Sequence, residues 1–300
     1  MGRMPARFVL LGDVHVRTNG AVPAPFLQLL AALPSLAPDF VLLVGDATSG
    51  NRDDGYRAST VRKWWTAYRG ALQPLRDASI PVLPIAGNHD YYTEAQRAGY
   101  GEAWAALSDE VAPIALDGAP PFYYSFDRGD LHVSMVHVVD QVIGNKVAAW
   151  LRNDLRKAQG AALRLAVGHV PIESVMGRTS TSYRATLGGL LLDGGVSIYF
   201  AGHEHLVWDA PVVVGARTLR QVIVGTPGAS YTMEMRSAVR SAWCKGAVCT
   251  LPSTGATFAR VPGTGQQLHR VTCILVETDG ADATVQPLML DGSGALVPFA

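Results

Sequence analysis

Five short polar motifs constrain the fold of this chain most strongly, because apolar runs typical of buried strands precede them. In chain order, the motifs are Gly12-Asp13-Val14-His15, Gly45-Asp46, Gly87-Asn88-His89-Asp90, Gly168-His169 and Gly202-His203-Glu204-His205. The preceding runs cover residues 7–11, 40–44, 81–86, 163–167 and 197–201. Open α/β sheets place their ligands at the carboxyl ends of their strands. We therefore expect the motifs to meet along one edge of a sheet.

Helical patterns lie between these runs in the first two thirds of the sequence. Residues 26–33, 60–75 and 147–159 are predicted as helices, with Ser59 as a candidate N-cap of the second. Residues 131–138 add a further strand-like run. Strands and helices that alternate in this way predict a parallel or mixed sheet covered by helices.

Beyond Gly202 the pattern changes to strands without a long helix. The strand-like runs cover residues 211–214, 218–224, 270–277 and 284–290. Residues 233–265 are rich in Gly, Ala, Ser and Thr, which predicts a long loop or an irregular insertion. We therefore expect a single domain over residues 1–300, with a motif-bearing core over 7–210. The β-rich part over 211–300 is expected to complete a second sheet.

The charge balance argues against two classes of binding protein. The chain has 25 basic and 25 acidic residues, so neither a nucleic-acid-binding protein nor a polybasic membrane anchor is expected. The sequence also has no apolar stretch near the roughly 18 residues of a membrane span. We expect a small molecule as the partner of this chain.

The cysteines and the N-terminal residues exclude further classes of site. Cys244, Cys249 and Cys273 form no CxxC pair, which argues against a zinc ribbon and against thioredoxin-like redox chemistry. The apolar run at residues 8–11 is too short for a signal peptide and ends in Gly-Asp. We therefore predict a buried strand there and a cytoplasmic location.

The polar residues of the motifs form a set typical of metal ligands. Residues two apart in a strand point to the same side, so Asp13 with His15, and His203 with His205, are each expected to converge. Two Asp, one Asn and four His side chains give seven donors. Seven donors exceed the needs of one tetrahedral zinc ion but suffice for two transition metals that share a carboxylate. Because cysteine takes no part, manganese, iron and zinc are the favoured metals.

The ordered set D-x-H, G-D, G-N-H-D, G-H and G-H-x-H resembles the calcineurin-like metallophosphoesterase superfamily. The resemblance spans Asp13 to His205, about two thirds of the 300 residues. It implies an α/β four-layer sandwich, in which two mixed β-sheets lie face to face with helices outside. It also implies that Asp13, His15 and His205 hold one metal ion, that Asn88, His169 and His203 hold the other, and that Asp46 bridges them. A metal-bound hydroxide is then the expected nucleophile.

His89 follows a predicted ligand but, being one residue on, is expected to point elsewhere. In the family, the corresponding histidine resembles a general acid or an electrophilic stabiliser near the leaving-group oxygen. Imidazole chemistry suits that role. We therefore predict His89 as the catalytic residue.

The second motif departs from two known subfamilies. Asp46 is followed by Ala47-Thr48-Ser49-Gly50. Protein Ser/Thr phosphatases carry a second Asp followed by Arg here, and purple acid phosphatases carry Tyr in place of Ser49. The missing Tyr predicts an enzyme without a purple tyrosinate colour. The missing Asp leaves open which group orients His89.

The remaining pattern is similar to class III cyclic-nucleotide phosphodiesterases and glycerophosphodiesterase-type enzymes. The expected function is hydrolysis of a small phosphodiester, with a phosphomonoesterase or nucleotidase as the alternative. A nuclease is disfavoured by the neutral charge. A non-catalytic scaffold is disfavoured because all the expected ligands are present.

The substrate-binding residues are not identified by these motifs. Loop residues after the motifs are weak candidates, each more typical of an ordinary loop. They are Arg17, Asn19, Asn51, Arg52, Tyr91, Tyr92, Arg178, Tyr183 and Arg184. Outside the motifs, His132, His137 and His269 are interpreted as structural. Asp90 and Glu204 are expected either to form turns or to orient the ligands.

Overall fold

The computed structural model describes residues 5–52, 55–175, 179–225, 227 and 272–298, and the backbone of three short strands between residues 244 and 259. The strands, in chain order, are β1 (Arg7–Leu11), β2 (Phe40–Leu43), β3 (Val82–Pro84), β4 (Asp117–Ala119), β5 (Tyr123–Arg128), β6 (Leu131–Met135), β7 (Leu163–Val167), β8 (Ile198–Ala201), β9 (Val207–Val214), β10 (Arg217–Val224), β11 (Cys244–Lys245), β12 (Val248–Thr250), β13 (Thr257–Ala259), β14 (Thr272–Asp279), β15 (Asp282–Leu290) and β16 (Leu296–Pro298).

The helices lie mostly between strands of the first two thirds of the chain. They are α1 (Ala24–Ala32), α2 (Ala58–Ala71), α3 (Gln73–Asp77), α4 (Glu94–Ala103), α5 (Leu107–Glu110), α6 (Asn145–Lys157), α7 (Thr181–Tyr183) and α8 (Gly189–Asp193). A π-helical turn over Arg184–Gly188 joins α7 to α8. Among the described residues, no helix combines the length and the apolar character needed to cross a bilayer.

Two mixed sheets with flanking helices form the fold, which confirms the predicted fold class. One sheet has the strand order β16-β15-β14-β1-β2-β3, and the other has the order β4-β5-β6-β7-β8-β10-β9. Aromatic contacts join them: Phe40 of β2 packs edge-on against Phe126 of β5, with ring centroids 5.3 Å apart. The hydroxyl of Tyr124 donates a hydrogen bond to the carbonyl of Pro84 across the same interface, at 2.7 Å.

The expectation that residues 211–300 complete the second sheet is wrong for the last strands. β9 and β10 do join the sheet of β8, but β14 pairs antiparallel with β1, and β15 and β16 follow it into the first sheet. The physical reason is the burial of β1, since an unpaired edge on a buried strand would leave backbone groups without partners. Most of residues 233–265 lie outside the described residues; the described parts are β11, β12 and β13, which form an antiparallel sheet of their own.

The helix predicted over residues 60–75 is two helices. α2 ends at Ala71 and α3 begins at Gln73. Pro74 has no N–H group and cannot continue the helical hydrogen bonds of the preceding turn. The N-cap prediction is also wrong, because Arg57 occupies the N-cap position, without a side-chain cap, and Ser59 lies inside α2.

Candidate metal centre

The predicted ligands lie on tight turns beyond the strand ends. Five of them adopt left-handed backbone conformations, with φ between 52° and 73°: Asp13, His15, Asp46, His203 and His205. Non-glycine residues rarely adopt this conformation, and its cost is retained mainly at functional sites. Turns, and not strand alternation, therefore set the directions of these side chains. Asp13 and His15 nevertheless converge, as expected.

The first cluster consists of Asp13, His15, Asp46 and His205, whose candidate ligand atoms all lie within 4.8 Å of one another. The Nε2 atoms of His15 and His205 are 3.1 Å apart. Nε2 of His205 lies 3.5 Å from Oδ1 of Asp13, and Nε2 of His15 lies 3.7 Å from Oδ2 of Asp46. Four nitrogen and oxygen donors thus surround one point, as a metal site requires.

The second cluster consists of Asp46, His169 and His203, again within 4.8 Å. Oδ2 of Asp46 lies 3.2 Å from Nε2 of His169. Oδ1 of Asn88 joins this cluster, at 2.9 Å from Nε2 of His169 and 2.8 Å from Nδ1 of His203. Asp46 belongs to both clusters, whereas His203 and His205 lie in different ones, contrary to the expectation that they converge.

Hydrogen bonds outside the clusters orient the predicted ligands. Nδ1 of His169 lies 2.7 Å from the carbonyl of Val44, and donation to that carbonyl leaves Nε2 free to face Asp46. The Asp13 carboxylate accepts the backbone N–H of His203. The amide nitrogen of Asn88 donates to the hydroxyl of Tyr92, so its oxygen faces the histidines.

Three of the histidines are neutral near pH 7. Burial lowers the pKa of His15 and of His203 to about 4 and that of His205 to about 3, and neighbouring histidines lower them further. A neutral imidazole is the form that binds a metal. These three side chains are therefore ready to act as ligands.

Without a metal ion, Asp46 and His169 form a charged pair, and a bound metal ion would displace the proton of His169. Burial alone would raise the pKa of Asp46, but His169 and the other nearby histidines outweigh it and hold that pKa below its ordinary range. Burial opposes the charge on His169, yet Asp46 raises the pKa of His169 to about 9. The pKa of Asp13 is raised, chiefly by burial. Carboxylate, amide and imidazole donors that converge in a buried place fit two divalent cations.

Residues 6–207 match the family described as calcineurin-like phosphoesterases. The chain belongs to this family. The family hydrolyses phosphoric esters and uses a dinuclear metal centre. The match covers most of the chain, including all five motifs, and it confirms the resemblance seen in the sequence.

Solved structures with the same fold are distant in sequence. A purple acid phosphatase, PPD1, from yellow lupin seeds matches with a TM-score of 0.63 and 15% identity, over 99% of this chain and 53% of the lupin chain. The chain thus spans about half the length of the lupin protein. GAP50, the anchor in the inner membrane complex of Plasmodium, matches with a TM-score of 0.59 and 15% identity, over 95% of this chain and 84% of that one. No curated protein sequence matches the chain.

His89 is held by a backbone carbonyl. Its Nδ1 lies 2.5 Å from the carbonyl oxygen of Gly50, which identifies the orienting group that the sequence left open. Its backbone N–H donates to Oδ1 of Asp46 at 2.8 Å. Nε2 lies 4.0 Å from Oδ2 of Asp46, and the side chain is 30% exposed. His89 therefore borders the Asp46 carboxylate that both clusters share.

Gly87 lets the third motif approach the second. A Cβ atom at this position would lie 2.1 Å from Oδ1 of Asp46 and 2.4 Å from its backbone nitrogen. Any larger residue would push the Asp46 carboxylate out of both clusters. The glycine in this motif is thus required by close packing.

Asp90 and Glu204 fasten the loops that carry the site. The buried Asp90 carboxylate accepts hydrogen bonds from the backbone N–H groups of Gly87, Ala47 and Thr48, at 2.9 to 3.2 Å. Burial and the charge of Asp46 raise the pKa of Asp90 to about 6. Glu204 accepts the backbone N–H of Val175 at 2.9 Å and bonds the hydroxyl of Ser174. Both side chains therefore position neighbouring loops.

Several of the remaining histidines and loop candidates bond or pack against neighbouring groups. His132 bonds Asp127 and Asp154, and the His137 ring packs against Tyr91 with centroids 4.3 Å apart. Tyr183 bonds the carbonyl of Val170, and Arg184 pairs with Glu173. Arg178 and His269 lie outside the described residues.

Sequence reasoning treated Tyr92 as a weak substrate candidate and missed its bond to Asn88. The two residues are four apart, and Tyr92 also lies edge-on to His89, with ring centroids 5.4 Å apart. The aromatic pair that follows G-N-H-D was the available sequence signal for this contact. Predicting the contact from that pair requires the loop geometry, which the motif alone does not give.

Proposed function

We propose that this protein is a dinuclear metal-dependent phosphoesterase and that a small phosphodiester is its substrate. The observation that carries the proposal is the position of Asp46, whose carboxylate is shared by the two clusters. Two ions held a few ångströms apart by a shared carboxylate suit in-line displacement at phosphorus.

The proposed ligands divide between the two ions. Asp13, His15 and His205 would hold one, Asn88, His169 and His203 would hold the other, and Asp46 would touch both. Their nitrogen and oxygen donors favour manganese, iron or zinc. When bound, the metals supply activated water at neutral pH and neutralise charge on the phosphoryl oxygens.

His89 is proposed to protonate the leaving-group oxygen. The Gly50 carbonyl accepts the Nδ1 proton and so orients the ring. As the acid, His89 would carry a second proton on Nε2. The His89 side chain is 30% exposed, so a leaving group has access to the ring. Transfer of that proton leaves a neutral imidazole, still held by Gly50.

Two features support a diester over a monoester. The residues after Asp46 lack the Asp-Arg pair that the motif resemblance assigns to protein phosphatases. Arg52, which lies over the ring of Tyr92, has its charge paired with Asp140. A substrate with one negative charge needs less cationic support than one with two.

The test is turnover of bis(p-nitrophenyl) phosphate and p-nitrophenyl phosphate by protein loaded in turn with manganese, iron or zinc, with metal-stripped protein as the control. Faster metal-dependent hydrolysis of the diester supports the proposal. Preference for the monoester overturns the substrate assignment. Two bound metals without turnover of either ester overturn the enzymatic function.

Alanine variants test the proposed roles. Asp46→Ala and Asn88→Ala should lose both turnover and metal content, measured by elemental analysis, whereas His89→Ala should keep its metals and react slowly. Asn153→Ala is the matched control, because Asn153 lies on α6 outside the motifs, and its amide oxygen accepts a hydrogen bond from Arg156 at the surface. Full activity of Asp46→Ala, or metal loss in His89→Ala, would contradict these roles.

A further inference from the structure

Three loops meet at Arg52, close to the candidate metal centre. Arg52 follows β2, Tyr92 follows β3 and Asp140 follows β6. The guanidinium carbon of Arg52 lies 4.9 Å from the centroid of the Tyr92 ring, and the guanidinium bonds the Asp140 carboxylate. The side chains of Arg52 and Asp140 are 60% and 45% exposed, so substrate has access to both.

Tyr92 connects this pair to the proposed catalytic groups. Its hydroxyl accepts a hydrogen bond from Asn88, and its ring contacts the ring of His89. The Tyr92 side chain therefore lies between Arg52 on one side and the proposed ligand Asn88 and the proposed acid His89 on the other. A charge at Arg52 should therefore act on an ester bound at the centre, because salt only partly screens charges that are within about one Debye length, roughly 8–10 Å, of each other.

The two ester classes differ in charge, so the Arg52–Asp140 pair should affect their binding differently. A phosphodiester carries one negative charge, whereas a phosphomonoester carries close to two at neutral pH. Arg52 alone would favour the second charge. Asp140 cancels the charge of Arg52 and adds a carboxylate that repels a dianion.

We propose that the Arg52–Asp140 pair determines specificity, with Asp140 disfavouring dianionic monoesters by neutralising Arg52. The proposal rests on the proposed phosphoesterase function. Arg52 without its carboxylate partner would serve as a subsite for the additional phosphoryl charge of a monoester.

The loop that carries Asp140 is held by contacts other than Arg52. Gln141 accepts the backbone N–H of Ser180 at 2.6 Å, and Val139 forms a β-bridge with Val142. Asp140 and Gln141 both adopt left-handed backbone conformations that this turn fixes. Replacing the Asp140 carboxylate by an amide should therefore remove a charge and leave the loop in place.

The experiment compares wild type, Asp140→Asn, Arg52→Met and the double variant, all metal-loaded. For each protein, kcat/KM is measured for p-nitrophenyl phosphate and bis(p-nitrophenyl) phosphate. Asp140→Asn should raise the monoester-to-diester ratio by roughly threefold to tenfold, as expected for one partly solvated charge. Arg52→Met should not raise the ratio, and the double variant should lose the gain. The rise in the monoester-to-diester ratio in Asp140→Asn should also be smaller at high salt.

A binding measurement separates this proposal from the proposed function. Calorimetry with inorganic phosphate and with dimethyl phosphate compares a dianion and a monoanion without turnover. Asp140→Asn should strengthen phosphate binding relative to dimethyl phosphate by a similar factor. An unchanged ratio in Asp140→Asn, or a gain that survives in the double variant, overturns the specificity proposal even if the enzyme is active. Wild-type inactivity with both metals bound overturns only the proposed function.

Glu102→Gln is the matched control for the charge change. Glu102 pairs with Arg62 at 3.2 Å, and both side chains are more than half exposed. This variant removes one surface carboxylate from an arginine, as Asp140→Asn does, but in the groove between α2 and α4. It should leave both ratios unchanged; an equal shift would mean that net charge, and not the Arg52–Asp140 pair, sets the preference.

Discussion

Nδ1 of His89 lies 2.5 Å from the carbonyl oxygen of Gly50, so a neutral backbone group orients the proposed catalytic histidine. A carboxylate in this position would add a negative charge, whereas a carbonyl fixes the ring without one. The approach is possible because residue 50 has no side chain. A Cβ there would lie 2.3 Å from the carbonyl oxygen of His89 and 2.3 Å from Nε2 of Gln96.

Gly50→Ala should therefore release His89 without removing the metals. We expect kcat to fall by roughly 10²-fold, the lower end of the contribution of a positioned general acid. Metal content should match wild type, since residue 50 is not among the proposed ligands. Steady-state kinetics and elemental analysis measure the two effects. Gly55→Ala is the control, because no atom lies within 4 Å of its added Cβ; equal activity in the two variants would refute the orienting role of Gly50.

Asp90→Ala should destabilise the fold and the site together. The change leaves the buried N–H groups of Gly87, Ala47 and Thr48 without their acceptor, and each such group costs about 1–3 kcal/mol. We expect the free energy of unfolding, measured in urea, to fall by at least about 3 kcal/mol. Metal affinity should fall as well, because Asp46 precedes Ala47.

Asp291→Ala is the matched control for that loss. Asp291 also accepts backbone N–H groups, from Ser293 and Ala295, but it lies on an exposed turn. Water can replace an exposed acceptor, so this variant should lose much less stability. Similar losses in the two variants would mean that burial of the Asp90 hydrogen bonds contributes little.

The strands and the motif set were predictable because both depend on local pattern. Apolar runs that end at a glycine gave β1 and β7 with the bounds that the structure has. The conformation of the turns was not predictable from alternation. His203 and His205 have φ values of 73° and 52°, so the rule that residues two apart share a face does not apply to them.

Long-range pairing and backbone contacts account for the other differences between the sequence predictions and the structure. β14 pairs with β1 across more than 250 residues of sequence, for example Phe8 with Val276, and both strands would look the same in either sheet. The Gly50 carbonyl that holds His89 belongs to the backbone, which has no residue type to recognise. Residue patterns identify which groups can react, whereas tertiary contacts decide what orients them.

Phe40→Ala should measure the packing between the two sheets. Phe40 stacks on Phe8 with ring centroids 4.8 Å apart and meets Phe126 edge-on at 5.3 Å. Removing a fully buried ring leaves a cavity and should cost about 3–5 kcal/mol of unfolding free energy in urea. Leu27→Ala, at a position 44% exposed, should change stability by less than about 0.5 kcal/mol. A loss below about 1 kcal/mol for Phe40→Ala would contradict a shared core at this point.

A buried polar network lies away from the candidate metal centre. Asp154 accepts hydrogen bonds from Ser125 at 2.5 Å and Ser134 at 2.7 Å, and lies 3.1 Å from Nε2 of His132. Burial opposes the charge of His132, but Asp154 and Asp127 outweigh it and raise its pKa above the ordinary value. Burial likewise opposes the charge of Asp154, and the bonds from His132 and the serines hold its pKa below the ordinary value.

The stability difference between wild type and His132→Gln should therefore depend on pH in a defined direction. A raised histidine pKa stabilises the fold fully below the unfolded value of about 6.5 and loses that contribution as pH rises through the folded value. Because the pKa of Asp154 is lowered, the Asp154 carboxylate keeps its own contribution to stability above about pH 4. The stability difference between wild type and His132→Gln, measured in urea on metal-free protein, should thus be larger near pH 5.5 than near pH 9. His137→Gln should respond in the opposite direction, because burial lowers the pKa of His137 to about 4. A stability difference for His132→Gln that does not decline between pH 5.5 and pH 9 would show that the network does not hold a charged His132.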